Sequence, residues 1–158
     1  MSLLREYQAA RRGEELARLR RVLALRSMAA TGMSQRQIAE ALGVTQPAVS
    51  QQLRHARDLD GVPAADLMDA AAPVLKALAE QRGHQRLAVF GSVARRQAHR
   101  DSDIDLLVEA PEGTSSFEFV RFKRLIEQVL GREIDLVDYG GLKPKLDDDI
   151  RRDAVLLC

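Results

Sequence analysis

The most informative segment of the sequence is Phe90-Gly91-Ser92-Val93-Ala94-Arg95, just past the middle of the chain, which continues as Asp101-Ser102-Asp103-Ile104-Asp105-Leu106-Leu107-Val108. Residues 87–90 have the length and composition of a buried strand, and a helical turn is predicted from Val93. Glycine at position 91 lets the backbone approach a ligand closely, and Ser92 can cap a helix start whose free N–H groups bind phosphate. The stretch predicts a strand, a phosphate-binding turn and a second strand.

Acidic residues alternate along the second strand. Asp103 and Asp105 are predicted to share one face of the sheet, while Ile104 points into the core. Two carboxylates on one face repel each other unless a cation lies between them, and hard oxygen ligands beside a phosphate site favour Mg²⁺. Asp135, in the apolar run 134–137, is the predicted third carboxylate. Together these residues predict metal-assisted nucleotidyl transfer, with Asp135 helping to deprotonate the attacking hydroxyl.

The remainder of the back half repeats short apolar runs. Runs at 87–90, 104–108, 134–137 and 154–157 have strand length, and helical segments lie between them, including 117–130 before Gly131. The chain is therefore predicted to be α+β, with an all-α N-terminal bundle followed by a small mixed-sheet domain.

The front of the chain carries the pattern of a helix-turn-helix. A helix is predicted over 14–30, and Ser34 with Gln37 forms a capping-box pattern. Gly43 suits the tight turn, and Ile38, Leu42, Val44, Val49 and Leu53 are the predicted buried wedge between the two helices. We expect residues 34–57 to bind DNA as a homodimer, since one short helix reads too few bases. The predicted contact residues are Thr45, Gln46, Ser50, Gln51 and Arg54.

The break at Gly61-Val62-Pro63 is the predicted domain boundary. It divides the chain into a helix-turn-helix domain at 1–60, a linker and connecting helix at 61–83 and a transferase domain at 84–158. Pro73 is expected to kink or split the connecting helix. The charge is divided in the same way, because residues 1–60 carry ten Arg against six acidic residues, whereas residues 61–158 carry 14 Lys and Arg against 17 acidic residues. The two halves are therefore expected to have different partners.

Composition favours a protein without a membrane partner. Of the 158 residues 46% are hydrophobic, but no apolar run approaches the roughly 20 residues that span a bilayer. Cys158 is the single cysteine, which leaves no internal disulfide, and we expect a cytoplasmic location.

The spacing from Gly91-Ser92 to Asp103-Ile104-Asp105, with a third Asp on a later strand, resembles the polymerase-beta-type nucleotidyltransferase superfamily. The short length of the transferase domain in this chain resembles that of the minimal nucleotidyltransferase branch of the superfamily. Members of that branch are known as the antitoxin partners of HEPN ribonuclease toxins. The resemblance implies that Gly91, Ser92 and Arg95 hold the phosphates of ATP, and that the three carboxylates bind Mg²⁺ and act in catalysis. It further implies AMP transfer to a hydroxyl, in that branch a tyrosine of the toxin. Many relatives have glycine where this chain has Arg96.

Other interpretations remain open. The chain could be a transcriptional regulator that senses nucleotide without turnover. It could also be a transferase for a small molecule such as an aminoglycoside, but a transferase domain of about 75 residues leaves no room for the added domain that such enzymes use to bind the acceptor. The histidines at 55, 84 and 99 are interpreted as surface residues. Asp147-Asp148-Asp149 is interpreted as a solvated helix start, and Arg121, Lys123 and Arg124 are interpreted as a solvated face.

Overall fold

The computed structural model describes residues 2–55, 59, 61–94, 103–142 and 148–157, without the side chains at positions 92, 149, 151 and 153. The helices α1 (Leu3–Ala30), α2 (Gln35–Leu42), α3 (Gln46–His55) and α4 (Ala64–Gln81) come first. They are followed by β1 (Gln85–Phe90), α5 (Gly91–Ala94), β2 (Ile104–Glu109), α6 (Ser116–Leu130), β3 (Ile134–Asp138), a 3-10 turn (Tyr139–Gly141), α7 (Asp148–Asp153) and β4 (Val155–Leu156). The predicted α+β class is confirmed.

The four strands form one mixed sheet in the order β3-β2-β1-β4. β1 is antiparallel to both β2 and β4, whereas β2 is parallel to β3. Because side chains alternate along a strand, the sheet has two different faces. One face belongs to the main core, which it shares with α4 and α6, and it carries Leu87, Val89, Ile104, Leu106, Val108 and Ile134. The opposite face carries Ala88 and Leu107, which pack with Leu142 in a smaller cluster.

Helix α4 belongs to the core of the sheet domain. It runs unbroken through Pro73, which lies inside the helix, so the predicted kink does not split it into two helices. Nine of its residues are buried, and Leu23 of α1 shares the same cluster. The division at 1–60, 61–83 and 84–158 stays a prediction, but the segment assigned to the linker contributes apolar residues to the core of the sheet.

Helix α1 begins at Leu3, whereas the prediction placed its start at residue 14. The difference has a physical reason, because every residue from Ser2 to Glu15 is exposed. A solvated helix has no need of an apolar stripe, so a search for apolar periodicity does not detect it. Leu, Arg, Glu, Gln and Ala, which occupy every position from 3 to 15 except Tyr7 and Gly13, are strong helix formers.

The helix-turn-helix forms as the turn and cap residues predict. The Ser34 side chain accepts from the Gln37 backbone N–H at 3.1 Å, and the Gln37 side chain accepts from the Ser34 N–H at 2.8 Å. Gly43 has φ +70°, and the Thr45 hydroxyl accepts from the Ala48 N–H at 3.2 Å.

The predicted wedge of the helix-turn-helix is only partly correct. Ile38 and Val49 are buried with Leu25 in a small separate core, but Leu42 and Val44 are exposed. Leu42 closes α2 and Val44 follows the turn, so both lie past the end of that core.

Two arginines tie the helix-turn-helix to the sheet domain. Arg26 of α1 donates to the carbonyl of Gln128 in α6 at 2.8 Å. Arg132, just before β3, donates to the carbonyls of Leu59 and Val62. These are charge-assisted hydrogen bonds from arginine side chains to backbone carbonyls. They hold the start of α4 and the body of α1 against the sheet domain.

Candidate active site and nucleic-acid interface

The turn after β1 brings the backbone of Gly91 against the carboxylate of Asp105. Gly91 has φ +74°, a left-handed conformation that side chains rarely adopt. A Cβ added at this position would lie 3.2 Å from Cγ of Asp105, and closer still to Oδ2. Any other residue at position 91 would therefore displace the carboxylate. This close approach accounts for glycine at the head of α5.

Strand register places two of the predicted carboxylates side by side. Asp105 pairs with Phe90 across the antiparallel strand and with Asp135 across the parallel strand. Residues paired in register project from the same face, and Asp103 lies two positions before Asp105. Asp105 and Asp135 therefore project from the same face of the sheet, and Asp103 lies just before the first residue of β2. Asp103 and Asp135 are exposed, while Asp105 is half-buried.

Asp103 and Asp135 also line a polar pocket of about 360 Å³ with Lys123, Glu127 and Glu133. Asp105 is not part of that lining. Among the residues that the structure describes, no three acidic, His or Cys side chains are gathered closely enough to hold a metal ion. The fold brings these carboxylates together in pairs, with carboxylate oxygens of the kind that suits a hard divalent cation.

The remaining predicted phosphate ligands are only partly described. Ser92 is the second residue of α5, and its side chain is outside the described set. Arg95 falls outside the described residues altogether, as does Arg96. The roles assigned to these side chains stay predictions.

Lys123 was missed as a member of this site. It is half-buried in the pocket with Asp103 and Asp135, whereas Arg121 and Arg124 on the same helix are exposed as interpreted. Lys123 and Glu127 lie one turn apart on α6, and the Glu127 carboxylate accepts from the Ile134 N–H at 3.1 Å. The four-residue spacing of Lys123 and Glu127 indicates that they share one side of α6. It does not reveal which strand α6 packs beside, so the sequence could not place Lys123 near the carboxylates.

The interpretation of His84 as a surface residue is wrong. Its ring is buried and stacks on Phe122 with centroids 4.0 Å apart. Within the described part of the chain, neither ring nitrogen has a hydrogen-bond partner. Burial of the ring lowers the pKa of His84. The backbone of Arg82 lies close enough to offset part of this lowering, but its carbonyl does not form a hydrogen bond with the ring. His55 is exposed as interpreted, and His99 lies outside the described residues.

Helix α3 presents most of the predicted DNA-contact residues to solvent. Ser50 is half-buried, and the Gln46 amide donates to the Gln35 side chain at 2.7 Å. That bond holds Gln46 in place at the start of α3. The exposed residues of the predicted set are Thr45, Gln46, Gln51 and Arg54.

The small mixed sheet, with carboxylates facing a glycine turn, defines a nucleotidyltransferase preceded by a helix-turn-helix. Residues 73–157 match the family described as a nucleotidyltransferase domain, and residues 15–66 match a homeodomain-like domain. The chain belongs to the nucleotidyltransferase domain family. The match begins inside α4, earlier than the boundary predicted at residue 84.

Known proteins similar to this chain agree with that assignment. A Methanocaldococcus jannaschii protein named as a candidate protein adenylyltransferase, MJ0435, is 44% identical over 75 residues, 48% of this chain and 81% of that protein. The protein adenylyltransferase MntA of Thermococcus cleftensis is 36% identical over 80 residues, 51% of this chain and 81% of that protein.

Solved structures agree with the fold. A candidate minimal nucleotidyltransferase is 36% identical with a TM-score of 0.54, covering 60% of this chain and 97% of its own. A toxin–antitoxin structure with AMP-PNP is 22% identical with a TM-score of 0.50, covering 55% and 72%, which is a likeness of fold. None of the described helices combines the length and the apolar composition of a membrane span.

Proposed function

We propose that the chain is a Mg²⁺-dependent nucleotidyltransferase that moves AMP from ATP to a hydroxyl of a protein partner. The observation that carries this proposal is the contact between the Gly91 backbone and Asp105, whose strand partner is Asp135. A glycine turn beside paired carboxylates suits a phosphate chain bridged to a metal. The relatives named as protein adenylyltransferases support AMP as the group transferred and a protein as the acceptor.

The residues have distinct proposed roles. Backbone N–H groups of Gly91 and Ser92 bind the triphosphate, and Arg95 adds a positive charge. Asp135 is common to the two carboxylate pairs, and with Asp103 and Asp105 it would hold Mg²⁺, which would neutralise phosphate charge. Asp135 is exposed on β3 and accepts the proton of the attacking hydroxyl. The hydroxyl oxygen then bonds to the α-phosphorus of ATP, and pyrophosphate leaves.

Lys123 has a place in the same scheme. It is the cation among the residues that line the pocket of Asp103 and Asp135, where the other charged members are acidic. A cation there lowers the repulsion between carboxylates before the nucleotide and metal arrive. We assign Lys123 a positioning role, since it lies beside the proposed metal-binding carboxylates.

The helix-turn-helix supplies the second half of the proposal. Its capped α3 offers short polar and amide side chains, which pair with base edges in the major groove, and Arg54 suits a phosphate. We propose that residues 34–57 bind an operator near the gene for this chain, as a homodimer. Together with the resemblance to minimal nucleotidyltransferases, this supports our proposal that the chain is the antitoxin of a HEPN-type toxin and the repressor of its own operon.

The transferase proposal is tested with ATP labelled on either the α- or the γ-phosphate. Each label is incubated with Mg²⁺, the chain and the product of the neighbouring gene. We expect the α label to move from ATP to that product and the γ label to leave ATP in the released pyrophosphate. Asp105→Asn is expected to abolish transfer while operator binding, measured by gel shift, is kept. Binding of ATP and of the product without transfer would instead support a regulator that senses nucleotide.

A further inference from the structure

The first third of α1 is uncovered. Leu3 is 88% exposed and Tyr7 is 67% exposed, within a stretch where every residue through Glu15 is exposed. Arg12 reaches back to Asp66 of α4 at 2.9 Å, so the residues before it lie near or beyond the N-terminal end of α4. Isolated helices of this length are marginal in water without packing. An uncovered helix end with large apolar side chains is suited to pack against another surface.

One stripe of α1 continues from these residues along the whole helix. Its members recur in steps that alternate four and three residues, the spacing of a seam between paired helices. Three of the members are alanines, which let a second helix approach closely, and Ala24 and Met28 are the half-buried members. The stripe consists of Leu3, Tyr7, Ala10, Glu14, Ala17, Arg21, Ala24 and Met28.

The far end of the stripe borders an apolar groove between α1 and α4, with a volume of about 580 Å³. Ala24 and Met28 line it on α1, and Pro73 and Ala77 line it on α4. Its lining includes Arg20 and Arg21 but no acidic residue. One end of the stripe thus offers large uncovered apolar side chains, and the other end offers an apolar groove.

We propose that two copies of the chain pair through this stripe with their α1 helices antiparallel. Leu3 of one copy lies against Met28 of the second copy, and Tyr7 lies against Ala24 of the second copy. Both apolar contacts occur twice, because an antiparallel pair has two-fold symmetry.

The charges in the middle of the stripe complement each other in this register. Glu14 of one copy faces Ala17 of the second copy, within about one helical turn of Arg18 and Arg21 of that copy. These four residues line an open depression at the centre of the stripe. Arg21 makes no ion pair with the described residues of its own chain, so it is available to Glu14 of the other.

The pairing also has a consequence for DNA, which rests on the proposed operator binding. Met28 precedes the helix-turn-helix, and the register separates the two Met28 residues by 25 helical positions, roughly 37 Å along the axis. Half-sites one turn of DNA apart are about 34–36 Å from each other. The antiparallel pair therefore spaces the two helix-turn-helix units on the scale of one DNA turn.

A disulfide cross-link tests the register without relying on activity. In a Cys158→Ser background, Tyr7→Cys with Ala24→Cys is oxidised and run on a non-reducing gel. Within one chain these positions are about 25 Å apart along α1, far beyond the reach of a disulfide, so a bond can form only between copies. We expect a covalent dimer from the double variant and none from either single variant. Failure of the double variant to cross-link, or cross-linking of Tyr7→Cys alone, would overturn the antiparallel register.

A charge exchange tests the centre of the stripe. Ala17→Glu faces Glu14 of the second copy, and we expect the dimer dissociation constant in sedimentation to rise at least about tenfold. Adding Glu14→Lys to this variant is expected to restore the dimer. Ala9 is exposed on another side of α1, so the control substitution Ala9→Glu is expected to leave the dimer intact. A monomeric wild-type chain would refute the homodimer itself. A dimer insensitive to Ala17→Glu would refute only this interface.

Discussion

Substitution of Gly91 by alanine separates the chemistry of the site from the stability of the fold. Alanine at φ +74° costs about 1–2 kcal/mol of backbone strain. Its Cβ would also lie 3.2 Å from Cγ of Asp105, so the carboxylate must move. A displacement of about 1 Å at a reacting group costs on the order of 100-fold in rate. We therefore expect Gly91→Ala to lose about two orders of magnitude in AMP transfer, together with a moderate loss of stability.

Gly113 provides a matched control for this prediction. It has φ +86°, yet an added Cβ would meet nothing within 4 Å. Gly113→Ala is expected to lose a similar free energy of unfolding in urea titration, about 1–2 kcal/mol, while AMP transfer is kept. The assay is single-turnover transfer of α-labelled phosphate to the partner. Wild-type transfer by Gly91→Ala, or an equal loss in both variants, would refute a role for the Gly91–Asp105 contact.

The remaining predictions concern pH, helix capping and DNA binding. Burial lowers the pKa of His84 in the folded chain. In the unfolded chain His84 has an ordinary histidine pKa of about 6.5, so below that pH the unfolded chain binds more protons than the folded chain. The contribution of His84 to the free energy of unfolding is therefore present above about pH 6.5 and is lost as the pH falls. In urea titrations, the stability of His84→Leu should be less sensitive to acid than the stability of the wild type. Equal sensitivity of the two proteins would contradict this prediction. Ser115→Ala removes the acceptor for the Glu118 N–H and should lower the midpoint of thermal unfolding by about 2–4 °C, with exposed Ser116→Ala as the neutral control. In gel shifts with DNA from upstream of the gene, Arg54→Ala should reduce the slope of affinity against salt by about one, and an unchanged slope would exclude a phosphate contact.

Local chemistry made part of this fold predictable. Ser34, Gly43 and Thr45 act through neighbours within a few residues, so their capping and turn roles follow from spacing alone. Alternation along the second strand likewise predicts that Asp103 and Asp105 share one face, a prediction that needs no knowledge of the strand order.

Features that depend on distant partners were not predictable in the same way. The sheet order β3-β2-β1-β4 decides that Asp135 lies beside Asp105, and no local pattern encodes that order. Lys123 belongs to the carboxylate pocket only because α6 packs beside β3. His84 is buried because Phe122, 38 positions later, stacks on it. In each case the deciding neighbour is remote in sequence.

The intact mass of the partner protein shows whether this chain transfers AMP to it. The product of the neighbouring gene is incubated with ATP, Mg²⁺ and the chain, and its mass is compared with that of a sample containing Asp105→Asn. We expect the partner to gain the mass of one or more AMP groups only with the wild-type chain. An unchanged partner mass, although ATP and the partner both bind, would contradict the claim that this chain is a protein-modifying nucleotidyltransferase.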